Sequence, residues 1–167
     1  MADLKLIALD ADDLAVVAVH LQDAVLRIGD MAYQPAEKRF ALVANRFDWD
    51  EAAKAADTHA QRSTQARRNG AFTRRRTGVR FERVLSAKIS GLDLAAKDAV
   101  LSLLTTSFEV GDDPSGHITL RFAGGGAVRL SVECIEVALD DLGAAWATRN
   151  RPRHPEDHRP AGEPAEG

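Results

Sequence analysis

The chain has 167 residues, 45% hydrophobic and 28% charged, the make-up of one soluble globular domain and too short for two of ordinary size. A net charge of -3 gives the whole molecule no pull toward polyanions. Its nine aromatics (six Phe, two Trp, one Tyr) are too sparse for a platform on which single-stranded bases stack.

Cys134 is the only cysteine, which excludes an internal disulfide and a thiolate zinc cluster. Its place in an alternating apolar run makes it a small core residue. The first ten residues lack a basic region followed by a long apolar run, and no stretch approaches the ~20 apolar residues of a membrane-spanning helix. The expected address is the cytoplasm.

Leu4 to Leu9 forms a first strand or an extended lead-in. Leu14, Val17, Ala18, Leu21, Val25 and Ile28 then recur every three or four residues, one face of an amphipathic helix. Asp10 suits its N-cap, Asp12 and Asp13 its positive end, Arg27 its last turn, and Gly29 the left-handed stop. Met31 to Gln34 reads as a strand, Pro35 to Lys38 as a turn, and Arg39 to Trp49 as a long strand with Phe40 and Leu42 on one face and Val43, Phe47 and Trp49 on the other.

Residues 50–77 break the pattern and form a long arginine-rich loop. A loop of that length in a compact domain serves a function or lacks order. Gly78 to Ser90 returns to strand, with Val79, Phe81, Leu85, Ala87 and Ile89 on one parity. Arg83 falls on that apolar parity and Val84 on the polar one, a local irregularity. After a turn over Gly91 to Lys97, Ala99 to Val110 is a strand with Leu104, Phe108 and Val110 inward.

Gly116 to Glu133 is a hairpin. Ile118, Leu120 and Phe122 alternate with polar residues before Gly124–Gly126, and Val128, Leu130 and Val132 do so after it. Ile135 to Trp146 ends in a short strand and a helical turn closed by Gly143. Residues 148–167, rich in Pro and charge, read as a disordered tail that buries no core.

The pattern predicts a single α+β domain over 1–147: an N-terminal amphipathic helix packed on an antiparallel sheet or partly closed barrel of about six to seven strands. No βαβ alternation appears, which argues against a doubly wound nucleotide fold.

The glycine triplet could cradle a phosphate. However, the residues after it continue a strand, and no G-K-[ST] follows; a hairpin turn accounts for it. Arg62, Arg67, Arg68, Arg74, Arg75, Arg76 and Arg80 occur with no acid between Asp57 and Glu82. This run is either a solvated loop offsetting acids elsewhere or a contact surface for an acidic protein, nucleic acid or an anionic lipid surface.

His20 and Asp23 lie three apart on the expected helix, where a base and its orienter could sit. Asp23 also precedes Arg27 by four, the order of a helical ion pair. With Arg83 and Arg129, they are the first polar groups to check for a ligand pocket between helix and sheet. His154 and His158 have metal-ligand spacing but stand among prolines, and His59 and His117 are isolated. The carboxylate pairs Asp112–Asp113 and Asp140–Asp141 fall where turns favour Asp. No catalytic set, metal site or cofactor is expected, and the oligomeric state is open.

Four blocks in order, H-L-Q-D-A-V, R-F-A-L-V-A-N-R-F-D-W, R-R-R-T-G-V-R-F-E-R-V-L and F-A-G-G-G-A-V-R-L-S-V-E-C-I-E, resemble a proteobacterial family of unknown function, domain 2948. The resemblance spans nearly all of the chain to Trp146. It implies a single soluble bacterial domain and carries no catalytic or binding residues. The expectation is a small non-enzymatic binding module that uses Arg67, Arg68, Arg74, Arg75, Arg76 and Arg80; the alternative is an enzyme or small-ligand protein with a pocket between helix and sheet.

Overall fold

The computed structural model describes residues 3–47 and 74–142. The expectations for the loop as far as residue 73, with His59, Arg62, Arg67 and Arg68, lie outside the described residues. So do those for Trp49, the closing turn at Gly143, and the tail with His154 and His158.

Among the described residues, ten strands and one α-helix make up the fold: β1 (Lys5–Ala8), α1 (Ala11–Leu21), β2 (Val25–Arg27), β3 (Met31–Gln34), β4 (Arg39–Phe47), β5 (Arg74–Phe81), β6 (Val84–Ser90), β7 (Val100–Val110), β8 (Gly116–Phe122), β9 (Ala127–Val132) and β10 (Val137–Asp141). They form one open ten-stranded sheet in the order β1-β10-β5-β4-β2-β7-β8-β9-β6, with β3 beside β4. All its pairings are antiparallel. The class is α+β as expected, but with ten strands rather than six or seven. The surplus comes from pieces too short to show a period, such as the three residues of β2.

β4 is the junction. Along one edge it pairs β5 over Phe40 to Phe47. Along the other, Arg39 to Leu42 pair β3 and Asn45 pairs Val25 of β2. β2 then carries the sheet across to β7. The helix packs over β7, β1 and β4. Phe40, Phe81, Phe122, Leu120 and Leu130 are buried in one continuous core, and Phe40 faces Phe81 across strands at 6.2 Å between ring centroids.

The helix starts where its sequence says. Asp10 is the N-cap, extended at φ −148°, and accepts from the Asp13 amide. It ends earlier than expected, at Leu21 rather than Gly29. Asp23 takes a left-handed φ of 66°, its N–H donates to the Leu103 carbonyl, and Ala24 accepts from the Leu103 N–H. Those two bonds to β7 replace helical ones, so Val25 and Leu26 become strand and Arg27 pairs with Asp30 and Asp98. The expected Asp23–Arg27 helical pair does not form.

Three further corrections follow from local geometry. The strand expected over Gly78–Ser90 is broken at Arg83, left-handed at φ 61°, so Val84 is buried and Leu85 faces solvent. The phase of β7 is reversed over its first half: Leu101 and Leu103 are buried, Leu104 is exposed, and the register slips between Leu103 and Thr105. A bulge of this kind shifts which parity faces the core. Phe108 does lie against the core, while Val110 is exposed. Arg74 to Thr77, assigned to the loop, are the first half of β5.

The hairpin is as expected. β8 and β9 pair from Gly116–Val132 to Arg121–Ala127, and the reversal uses left-handed φ values of 93° and 103° at Gly124 and Gly125, which glycine adopts without strain.

Phe81→Ala should lower stability by about 3–5 kcal/mol, because Phe81 is fully buried at the centre of the core. Leu104→Ala, on the exposed side of the slip, should cost less than about 1 kcal/mol. Urea unfolding monitored by tryptophan fluorescence measures both; equal losses would mean that β7 is in the phase the sequence suggested.

Candidate functional site

Along β4 the buried parity runs Phe40, Leu42, Ala44 and then Arg46. Along β10 it runs Val137, Leu139 and then, at the strand's end, Asp141. Register places both at the same end of the sheet, on either side of Thr77 in β5. The Arg46 and Asp141 side chains are 4% and 1% exposed. Burial that deep requires every polar atom to find a partner.

The carboxylate is fully satisfied. Oδ1 accepts from Arg46 Nε at 3.0 Å and from the Thr77 hydroxyl at 2.7 Å. Oδ2 accepts from Arg46 Nη2 at 2.8 Å and from the Leu4 N–H at 2.8 Å. Arg46 Nη1 donates to the Phe47 carbonyl. Burial alone would raise the Asp141 pKa, but the Arg46, Leu4 and Thr77 donors outweigh it and hold the carboxyl below its ordinary value. One side chain therefore ties β10, β5, β4 and the residue just before β1 together. Asp141 is not the turn carboxylate its sequence context suggests.

This clamp underlies the basic end of the sheet. Arg74, on the face opposite Thr77, lies over the Phe47 ring at 4.1 Å, a cation–π contact that orients the guanidinium while its charge stays in water. Among the described residues Arg74 has no carboxylate partner. Arg76 follows on the same face. Arg75 points to the clamp's side and sits 3.8 Å from Asp3. Arg80 is bound to Glu82, which also holds Arg39.

The four pocket candidates do not converge. His20 is on α1, and Asp23 lies just past the helix. Arg83 is exposed, bonded to Glu136 and 3.7 Å from Glu133, which itself holds Lys38. The hydrogen bond to Glu136 raises the already high pKa of Arg83, fitting a structural cation rather than a base. Arg129 pairs with Glu109 across the surface of β8. No group of three His, Cys, Asp or Glu among the described residues is placed to hold a metal, and no helix among them is long and apolar enough to cross a membrane.

A hollow of about 540 Å³ lies at the other end of the molecule, between the start of α1, the end of β7 and the loops that follow β7 and β9. Its walls are Leu9, Asp10, Ala11, Phe108, Val110, Asp113, Pro114, Cys134 and Ile135. Cys134 is half-buried there rather than a core residue.

The clamp gives a signed pH dependence. A carboxylate whose folded pKa is depressed stabilises the fold above its ordinary pKa, near 3.8, and that contribution is lost as pH falls through the folded value. Arg46→Ala should cost about 3–5 kcal/mol at pH 7 by stranding a buried charge, and Arg46→Met with Asp141→Leu should cost less than either change alone. Asp141→Asn should flatten the loss of stability below about pH 4. Chemical denaturation at pH 7 and pH 3 checks all three; a double variant as unstable as the sum of the singles would refute the coupling.

No curated protein and no solved structure matches the chain. A family model described as a protein of unknown function matches residues 4–154, a span that holds β1 through β10, the clamp and the hollow. The chain belongs to that family, DUF2948.

Proposed function

We propose that the chain acts by binding rather than by catalysis, and that the basic end of β4 and β5 holds an acidic protein segment. The observation that carries this reading is Arg74. It is exposed, laid on Phe47, and uncompensated by any carboxylate among the described residues. Phe47 belongs to a strand whose neighbour, Arg46, is fixed by the buried clamp. A guanidinium held in place loses less freedom on meeting a carboxylate than one on a mobile loop. Arg76 is half-buried on the same face, and Arg67 and Arg68 are proposed to add to the surface. Arg75 and Arg80 are already engaged with Asp3 and Glu82, so they count for less. The scarcity of aromatics disfavours nucleic acid.

A second reading has the 540 Å³ hollow behind it, which is large enough for a small ligand. Its polar groups are two aspartates and a thiol, and Asp10 is already engaged as the helix cap. That favours binding over chemistry there too.

A fluorescein-labelled peptide of twelve glutamates, titrated into the full chain, tests the first reading. Binding should weaken about threefold to tenfold in Arg74→Ala with Arg76→Ala, and should fall with added salt. Binding unchanged in the double variant refutes it, and tighter binding of a thymidine oligonucleotide of equal charge would point to nucleic acid instead.

A further inference from the structure

We propose that the outer face of β6, β9, β8 and β7 docks a protein segment carrying a phosphorylated serine or threonine. The inner parity of these strands belongs to the core: Ile118, Leu120, Val128 and Leu130 are buried, with Ala87 and Ile89 packed against them. Alternation turns the remaining side chains to the opposite face. Register then sets them in rows across the four strands. One row runs Lys88, Arg129, Thr119 and Ser107, and the next brings Arg121 between Ala127 and Thr105. Lys88 and Arg129 are therefore directly opposed, about 5 Å apart at Cα. Arg121 is the diagonal neighbour of Arg129, at about 7–8 Å.

Like charges directly opposed on one sheet face destabilise it, and little nearby relieves this pair. Lys88, Arg121 and Arg129 are all exposed. Lys88 and Arg121 make no ion pair among the described residues. Arg129 reaches Glu109 at 3.7 Å, with both side chains more than half exposed, a contact of little strength in water. Glu133, just past the end of β9, is already held by Lys38 at 2.8 Å. Three cations against one carboxylate leave a local excess of two positive charges.

That excess suits a phosphate monoester, which carries about −1.5 to −2 at pH 7 and offers three acceptor oxygens. Each guanidinium can grip it through a pair of N–H groups, and the exposed hydroxyls of Thr105 and Ser107 flank the cations with further donors. A carboxylate has one charge and two oxygens, and would leave part of this set unanswered. An open sheet face does not enclose a free ester as a concave site does, whereas an extended peptide can lie across it. The rows hold no aromatic ring for base stacking and no large apolar side chain to enter a bilayer. In strand order β2 separates this face from β4 and β5, so the inference does not rest on the reading of Arg74.

The test uses the full chain and a fluorescein-labelled peptide of twelve residues, one phosphoserine among alanines, serines and glycines. Saturable anisotropy is expected, at least about tenfold stronger than with the unphosphorylated peptide and falling with added salt. Arg121→Gln and Arg129→Gln should each weaken it about threefold to tenfold, while Arg74→Ala with Arg76→Ala leaves it unchanged. Lys88→Ser should raise the melting temperature, because it removes an opposed like charge, and yet weaken binding; a merely structural Lys88 would not link the two. Absence of saturable binding overturns the proposal. So does equal affinity for a peptide with glutamate in place of phosphoserine, or binding indifferent to Arg121→Gln and Arg129→Gln. Glycerol phosphate bound as tightly as the phosphopeptide would show a small-ester site. A thymidine oligonucleotide bound more tightly, or capture by phosphatidylglycerol vesicles lost in Arg121→Gln, would show nucleic acid or a membrane surface; each of these outcomes overturns it.

Discussion

The Asp141 carboxylate is the constraint on which the basic half of the sheet depends. Removing a carboxylate and a guanidinium from water costs several kcal/mol for each ion, and their attraction offsets this only when the geometry is good and the remaining lone pairs are met. Here they are met: four donors from β4, β5 and the start of β1 converge on two oxygens. A slip of one residue in β10 would turn Asp141 outward and leave Arg46 buried alone, since strand side chains alternate. The pair therefore does more to select one register across four strands than to deepen the energy well.

That selectivity bears on the surface above. Thr77 is bonded to the carboxylate and starts the buried parity of β5, so Arg74 and Arg76 are assigned to the opposite face by the same interaction. Arg74 then lands on Phe47, its cross-strand neighbour. A buried ion pair and an exposed cation thus share one cause. The ion clusters at the other end of β5, where Glu82 joins Arg39 and Arg80 and Arg83 joins Glu136, are solvent-facing and add little each.

What the sequence made legible was local. The Asp10 cap, the stripe through Leu21 and the alternation on both sides of Gly124–Gly126 depend on neighbours in the chain, and each appears as read. The misreadings share a physical reason, which is that a distant partner decides. The helix stops because Leu103 bonds Asp23 and Ala24, and β7 reverses phase because one extra residue sits opposite β8. The clamp itself left a trace that went unread. Arg46 lies on the parity of Phe40 and Leu42, and Asp141 on that of Val137 and Leu139, so each strand ends its apolar series with an opposite charge. Such a series, read strictly by parity, calls for a buried counter-ion. The hollow left no trace, because it arises where the start of α1 meets the end of β7 and two loops.

The positions of these features explain why the charges of a nearly neutral chain matter. Arg74 begins β5, while Leu9 and Ile135 flank the end of β1 and the beginning of β10 opposite Phe81. The seven steps of β5 from Arg74 to Phe81 span about 23 Å, more than two Debye lengths at physiological salt. Across that distance salt largely screens the two sets of charges from each other. A net charge of -3 hides a molecule with arginines gathered over a buried carboxylate at one end and Asp10 and Asp113 lining a hollow at the other. Composition averaged the two ends together; only the register of β10 against β5 and β1 separates them.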